Sequence, residues 1–360
     1  MRTALLLILI ITVIPVCAAF GRTWTINSSG TGDAPTIKAG MDSASAGDTV
    51  RVMSGTYYEH DIQVKSGILF THQNSLTENC IIDAQGQGRV LVFDGVDAAT
   101  EMKYMTFKGG HASGTGTDGC GGAVLFTNYS APTIYLCDYI NSTADNLGGA
   151  IYCEDHAAPY LVWGVLRGNQ AGTGGGAIAC ASYASPTFNS LNVTGNTTPG
   201  NGGGAHCSDN ATPAFWGCNI LNCIASGFGG GLYSETNSVP AVVKCNIVFN
   251  MDGEGVYAAD DASVPTFECC DIYGNEGGDW VGRIADPDSM YANFSMDPLF
   301  CDTTIVLPDQ SMYVEDCSPC LKDNHPYGYC GSQIGYVWGG CACGTATEPA
   351  TWGTIKALYK

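Results

Sequence analysis

Gly174-Gly175-Gly176-Ala177-Ile178-Ala179-Cys180, continuing to Ser185-Pro186-Thr187-Phe188 and on to Gly195-Asn196, is one copy of a unit that recurs six times through the middle of the chain. Each copy opens on paired glycines. The second glycine falls at Gly122, Gly149, Gly176, Gly204, Gly231 and Gly255, in steps of 27, 27, 28, 27 and 24. One proline per copy keeps the same beat, at Pro132, Pro159, Pro186, Pro213, Pro240 and Pro265. A fixed period of this size marks a solenoid, because one unit cannot bury its apolar face alone and stacks on its neighbours to do so.

Within a copy the apolar residues alternate with period two, which is the signature of strands. Counting from each proline, the fifth residue is Cys137, Gly164, Leu191, Cys218, Cys245 or Cys270, and the seventh is Tyr139, Leu166, Val193, Ile220, Ile247 or Ile272. Both columns are expected to point into a core. The tenth is Ser142, Asn169, Asn196, Cys223, Asn250 or Asn275. Asparagine tolerates the left-handed conformation of a turn, and stacked amides can bond one another as a ladder. A strand, a turn, another strand and a return one level higher describe an all-β, single-stranded parallel β-helix. At about 4.8 Å per coil, six copies make a rod of about 29 Å.

The second residue after each glycine pair reads as one further column, Val124, Ile151, Ile178, His206, Tyr233 and Tyr257, with His206 as a core histidine. His111 falls in a glycine-rich loop with no evident partner. Both ends of a β-helix leave open strand edges, so caps are expected. Residues 36–44 form an amphipathic helical stretch placed as the N-terminal cap, followed by a strand over about 49–53. The glycine register fades past Asn275, and a Cys-rich C-terminal cap follows. The expected divisions are a signal peptide over 1–19, the β-helix over 20–290, the cap over 291–345 and a tail over 346–360.

Met1-Arg2-Thr3, an apolar run to Val16 and Cys17-Ala18-Ala19 have the charged start, apolar middle and small-residue end of a secretory signal. The run is too short to span a membrane, and no later stretch is long enough. A secreted or cell-surface location follows. Of the 18 cysteines, Cys137, Cys218, Cys245 and Cys270 in one column and Cys153 and Cys180 in another read as buried thiols that fill the core. Cys301, Cys317, Cys320, Cys330, Cys341 and Cys343 lie outside the repeat, where disulfides would staple a loop-rich cap. Cys317-Ser318-Pro319-Cys320 and Cys341-Ala342-Cys343 also admit zinc or redox readings, but no paired histidines accompany them.

The formal charge of −20 argues against nucleic acid and anionic membranes as partners. It disfavours polyuronates too, since Arg167 and Lys244 are the only cationic side chains between Gly119 and Asn275. Glu154-Asp155-His156, Asp209-Asn210 and Asp260-Asp261 fall in the same turn of successive copies, with Asn128, Ser182 and Asn237 in the same column. As solvated turn residues they need no further role. As oxygen donors, Asp155, Asp209, Asp260 and Asp261 are the candidates for calcium, and a carboxylate pair at a defined separation would serve glycoside hydrolysis. No spacing singles out a catalytic pair.

The repeat resembles that of bacterial right-handed parallel β-helix proteins of the pectin-lyase-like superfamily, and the glycine-glycine-alanine repeats of polymorphic outer-membrane proteins. Ala34-Pro35-Thr36-Ile37-Lys38-Ala39-Gly40 with Ala46-Gly47-Asp48-Thr49-Val50 and Gly55-Thr56-Tyr57 is similar to the N-terminal cap and first coil of such proteins. Asp297-Pro298-Leu299-Phe300-Cys301 with Ser318-Pro319-Cys320-Leu321 resembles their closing segment. The resemblance implies the right-handed fold over roughly residues 23–343. It does not imply an activity. Pectate lyases of the superfamily use a calcium cluster with an arginine or lysine base, and polygalacturonases use aspartate pairs with Gly-His-Gly and Arg-x-Lys, neither of which occurs here.

The expected function is therefore a structural, adhesive or carbohydrate-binding module that meets extracellular polysaccharide or another cell-surface component. The alternative is a polysaccharide lyase or glycoside hydrolase. Exposed aromatics in a line on one face would favour binding, and a groove with several acids and a base at its floor would favour chemistry.

Overall fold

The computed structural model describes residues 21–285, 291–301, 312–328 and 330–344. The expected signal peptide and tail lie outside the described residues. The chain winds as a parallel β-solenoid whose main sheets hold fifteen, eight and five strands. One coil gives a segment to each: Ile178–Cys180 joins the eight-stranded sheet, Thr187–Thr194 the fifteen-stranded sheet and Thr197–Thr198 the five-stranded one. Through the repeat, residues 27 apart lie side by side, as with Ile151, Ile178 and Ala205, or Leu161, Phe188 and Phe215.

Left-handed residues make the corners. Gly175, Ser182, Tyr183, Ser190 and Gly195 bend one coil, and Gly202, Asp209, Asn210, Gly217 and Asn222 bend the next, all at positive φ. Glycine, asparagine and aspartate adopt this region with least strain, which is why the turns are rich in them. The two proline-counted columns do face inward. Leu191, Cys218, Cys245 and Cys270, with Leu166, Val193, Ile220, Ile247 and Ile272, lie buried in one continuous core. Phe188 and Phe215 stack within it at 5.1 Å, each ring contributing about 1.5–3 kcal/mol by leaving water.

The register corrects one expectation. Ala205, and not His206, pairs with Ile178, and Leu232 and Val256 continue that inward column. The step of 28 arises because Gly202-Gly203-Gly204 is a triplet: the residue beside Gly176 is Gly203, so the true period there is also 27. His206, Tyr233 and Tyr257 consequently belong to the outward column with Tyr152 and Ala179. The same shift brings Cys207 beside Cys180 and Cys153, extending the inner thiol column to three.

The tenth-position asparagines form a buried ladder. Asn196 Oδ1 accepts from both the backbone N–H and Nδ2 of Asn169 at 2.9 and 3.0 Å, and Asn196 Nδ2 donates to the Leu166 carbonyl at 2.9 Å. Asn275 holds Asn250 in the same way. The left-handed residue is the one before each rung, at Asn141, Gly168, Gly195, Asn222, Phe249 and Gly274. The asparagines themselves are thus selected for hydrogen bonding inside the coil and not for turn conformation.

At the N-terminal end the helix Ile37–Ser43 is capped by Thr36, whose Oγ1 accepts from Ala39 N at 3.0 Å, while Glu59 takes the Ile37 and Lys38 N–H groups. Capping satisfies donors that the first turn leaves free. Ile37 and Met41 are buried in the main core. A strand before the helix, Thr23–Ile26, pairs with Thr49–Val52, a contact the sequence pattern did not signal.

The Cys-rich segment behaves differently from a plug on the end of the rod. One more rung forms past Asn275, where Phe294 exchanges backbone hydrogen bonds with Cys270 and Ile272. The chain then runs back along the flank of the solenoid. Gly335 N donates to the Lys244 carbonyl at 2.7 Å, Asn246 Nδ2 to Ile334 O at 3.1 Å and Asn219 Nδ2 to Tyr336 O at 3.2 Å. Three disulfides hold this arrangement: Cys301–Cys341 and Cys317–Cys343 within the segment, and Cys269–Cys330 from the segment to the repeat. Cys330 thus pairs with a coil residue, and Cys320 remains a buried free thiol. No helix of the described residues is long and apolar enough to cross a membrane.

Candidate functional site

The acidic turn singled out in the sequence lies on the shoulder between the eight- and fifteen-stranded sheets. Two successive left-handed residues make it in five of the six copies: Asn128-Tyr129, Asp155-His156, Ser182-Tyr183, Asp209-Asn210 and Thr236-Asn237. Backbone bonds fix their stacking, since Tyr129 N donates to Asp155 O, His156 N to Ser182 O and Tyr183 N to Asp209 O at 2.9–3.0 Å. Two columns therefore run up the shoulder side by side. One holds Asn128, Asp155, Ser182 and Asp209. The other holds Tyr129, His156, Tyr183 and Asn210.

The second column is a stripe of rings. Tyr129 and His156 lie 4.7 Å apart at 7° from parallel, and His156 and Tyr183 lie 5.2 Å apart at 13°. Tyr129 is 64% and Tyr183 55% exposed. Near-parallel rings at these separations are offset, so part of each face stays open. Exposed apolar surface held in a rigid row, where solvation alone would favour small polar residues, calls for a role. Sequence reasoning weighed the acids of this turn and passed over the rings beside them; Asn-Tyr, Asp-His and Ser-Tyr in one register were the available signal.

Of the four expected calcium ligands, Asp155 and Asp209 lie two coils apart, about 10 Å at one strand spacing per coil. Ser182 sits between them, its Oγ donating to Asp209 Oδ2 at 3.1 Å. Asp260 is engaged by its own turn, accepting from Ser263 Oγ at 2.8 Å, Ala262 N at 2.9 Å and Thr236 N at 3.2 Å. The Ser263 hydrogen bond, followed by the backbone donors, holds its carboxyl below the usual aspartate range. Asp261 pairs with Arg283 Nε at 2.7 Å. Among the described residues, the group with three donor atoms within reach of one ion is Glu315, Cys317 and Cys343, whose two sulfurs share a disulfide.

The histidines also find definite places. His111 starts a strand in the five-stranded sheet and its Nε2 lies 3.2 Å from Asp145 Oδ1, so the expected partnerless loop is in fact a paired rung. His206 Nε2 lies 3.0 Å from Glu235 Oε1, and Tyr233 donates to the other carboxylate oxygen at 3.2 Å. The histidine hydrogen bond lowers the Glu235 carboxyl. The His206 ring fits because residue 174 has no side chain; a Cβ there would stand 2.2 Å from Nδ1.

Among the described residues two carboxyls are raised, and both are covered. Burial pushes Asp138 up to about 6 against hydrogen bonds from Thr77 Oγ1 and Val165 N. Burial likewise lifts Asp271 well above its ordinary range beneath Met296 and Cys320. Neither reaches a surface where substrate could meet it. Burial raises the core thiols of Cys270 and Cys223 as well, to about 12 and about 11, so these two stay protonated and inert at neutral pH.

Comparison with protein-family models, with curated proteins and with solved structures returns no match.

Proposed function

We propose that the protein is an exported surface module that holds a neutral or cationic glycan along the stripe Tyr129–His156–Tyr183. The observation that carries this reading is the row of three exposed, near-parallel rings on a rigid shoulder. A sugar ring offers an apolar C–H face and a rim of hydroxyls. Aromatic faces suit the first, at low entropy cost because the tyrosine has two side-chain torsions and sits on a fixed coil. The adjoining column suits the second, since Asn128, Asp155 and Ser182 supply donors and acceptors at every level. The charge of −20 repels polyanions over the whole surface. Three disulfides favour an oxidising, extracellular setting, as do the expected leader and the resemblance to the pectin-lyase-like superfamily.

Binding is favoured over hydrolysis or elimination because the two carboxyls with raised proton affinity lie buried beneath other segments and not in a groove. Purified protein incubated with neutral, amino and acidic polysaccharides, with and without calcium, separates the two readings. Retention on a neutral or amino glycan without reducing ends or unsaturated products is the expected result. Turnover of any polysaccharide would overturn it in favour of a lyase or hydrolase, and a calcium requirement for either would point to the Asp155–Asp209 column.

A further inference from the structure

On the flank of the fifteen-stranded sheet, Asn192, Asn219, Asn246 and Asp271 stand side by side in four successive coils, all buried. The two middle amides use their hydrogens in the same way. Asn219 Nδ2 donates to Asn192 Oδ1 at 2.6 Å and to Tyr336 O at 3.2 Å, and Asn246 Nδ2 to Asn219 Oδ1 at 2.8 Å and to Ile334 O at 3.1 Å. One hydrogen continues the ladder between coils, and the other holds the returning segment down.

The fourth position breaks the pattern, because an ionised aspartate has no hydrogen to give. Asp271 Oδ1 accepts from Met296 N at 3.1 Å, and Oδ2 lies 3.6 Å from the Cys320 thiol, which also stands 3.3 Å from Asn246 Oδ1. A thiol is a weak donor with a single proton, so it serves one of these two oxygens at a time. Among the described residues Asp271 has no ion-pair partner. A buried carboxylate with so few donors is under-satisfied, whereas the neutral acid brings a hydrogen of its own.

The titratable groups around it do not offset the charge. Burial first, and then the nearby carboxylates of Asp279 and Asp297, favour the protonated form against the Met296 and Cys320 hydrogen bonds. Lys244, one coil below, gives its ammonium to Ser332 Oγ at 2.9 Å. His325 packs on Phe294 and Cys330, and burial lowers it, so its titration would strengthen the folded contact as pH rises.

We infer that Asp271 is a proton-operated latch, and that the segment carrying Cys320 and residues 334–336 is a strap which opens when this carboxyl ionises. With the proton on, the carboxyl completes the column as an asparagine would. With the proton off, a buried charge is left whose remaining donor is water, reached by lifting the strap. Cys269–Cys330 keeps the strap tethered, so opening is local. It bares the Asn219 and Asn246 amides and the Trp163 ring on which Tyr336 stacks at 6.5 Å. The latch does not rest on the glycan reading.

The closed form holds the proton more tightly than the open one, so closure is favoured at low pH and is lost as pH rises. Hydrogen exchange of the full chain between pH 5 and 8, expressed as protection over the intrinsic rate, reads this at Gly335 N, which donates to Lys244 O across the boundary of the strap. Each pH unit over which the closed form alone holds the proton lowers closure about tenfold. Gly335 protection is expected to fall at least roughly tenfold over the range. Asp271→Asn, which makes the column all amide, should abolish the fall, and Asp138→Asn, outside the strap, should leave it intact. Alkylation of Cys320 at pH 8 should be roughly tenfold slower in Asp271→Asn than in the wild type. Flat or rising protection in the wild type, a fall that persists in Asp271→Asn or disappears in Asp138→Asn, or equal alkylation rates would each overturn the inference.

Discussion

Asn196 Oδ1 takes two hydrogen bonds from Asn169, one from its backbone N–H and one from its side chain, across the step between adjacent coils. A single buried side chain thus replaces a ladder bond at a corner where the strands have ended, and its own Nδ2 closes the Leu166 carbonyl of the coil below.

Removing it leaves at least two buried groups unpaired, each costing about 1–3 kcal/mol. Asn196→Ala is therefore expected to lower stability by about 3 kcal/mol in urea titration. Thr212→Ala, at an exposed position without positive φ in the next coil, should change it by no more than about 0.5 kcal/mol. Equal effects would mean that the inner ladder carries no special weight.

This ladder was legible in the sequence as a column, and so was the solenoid, because a period of 27 and one proline per copy survive variation at every other position. The glycine triplet at 202–204 was not legible in the same way. Glycine pairs cannot report which member of a triplet is equivalent, and the hydrogen-bond register decides it in favour of Gly203. One residue of slip moves every side chain to the other face of its strand, so His206, still buried, stands in the outward column beside Ala179 and Tyr233, and Cys207 joins the inward one. The ring stripe was obscured because its members, Tyr129, His156 and Tyr183, are chemically different and share only a place. The return of residues 334–336 onto Asn219 and Asn246 has no periodic signal at all.

Asp138 gives stability an unusual pH dependence. Burial raises its folded value to about 6, above the value of about 3.9 for an unfolded aspartate, so folding favours the protonated form. The resulting stabilisation is fully present below about pH 4 and is lost as pH rises through 6, by about 3 kcal/mol from this group. Asp271 acts in the same direction. Stability measured by urea unfolding should fall between pH 4.5 and 7.5, and Asp138→Asn should flatten that slope. A slope that Asp138→Asn leaves unchanged would place the titration elsewhere.

Cys269–Cys330 ties the flanking segment to the coil that carries Asp271. Closing a loop of 61 residues contributes about 4 kcal/mol in the chain-entropy model. Cys269→Ser/Cys330→Ser is expected to leave the repeat folded while the segment loosens, seen as faster hydrogen exchange at Gly335 and at the Asn219 and Asn246 side chains. Unchanged protection there would show that packing of Met312, Val314 and Val337 holds the segment without the bridge.

The most direct test of the proposed function is retention of Tyr129→Ala/Tyr183→Ala on the glycan that the wild-type protein binds, beside Tyr58→Ala, which removes an equally exposed ring (64%) near the N-terminal helix. At about 0.5–1.5 kcal/mol per ring, the double variant should bind roughly tenfold more weakly with its thermal midpoint unchanged. Tyr58→Ala should bind as the wild type does. Wild-type retention by the double variant, or an equal loss in Tyr58→Ala, would contradict a glycan site on the Tyr129–His156–Tyr183 stripe.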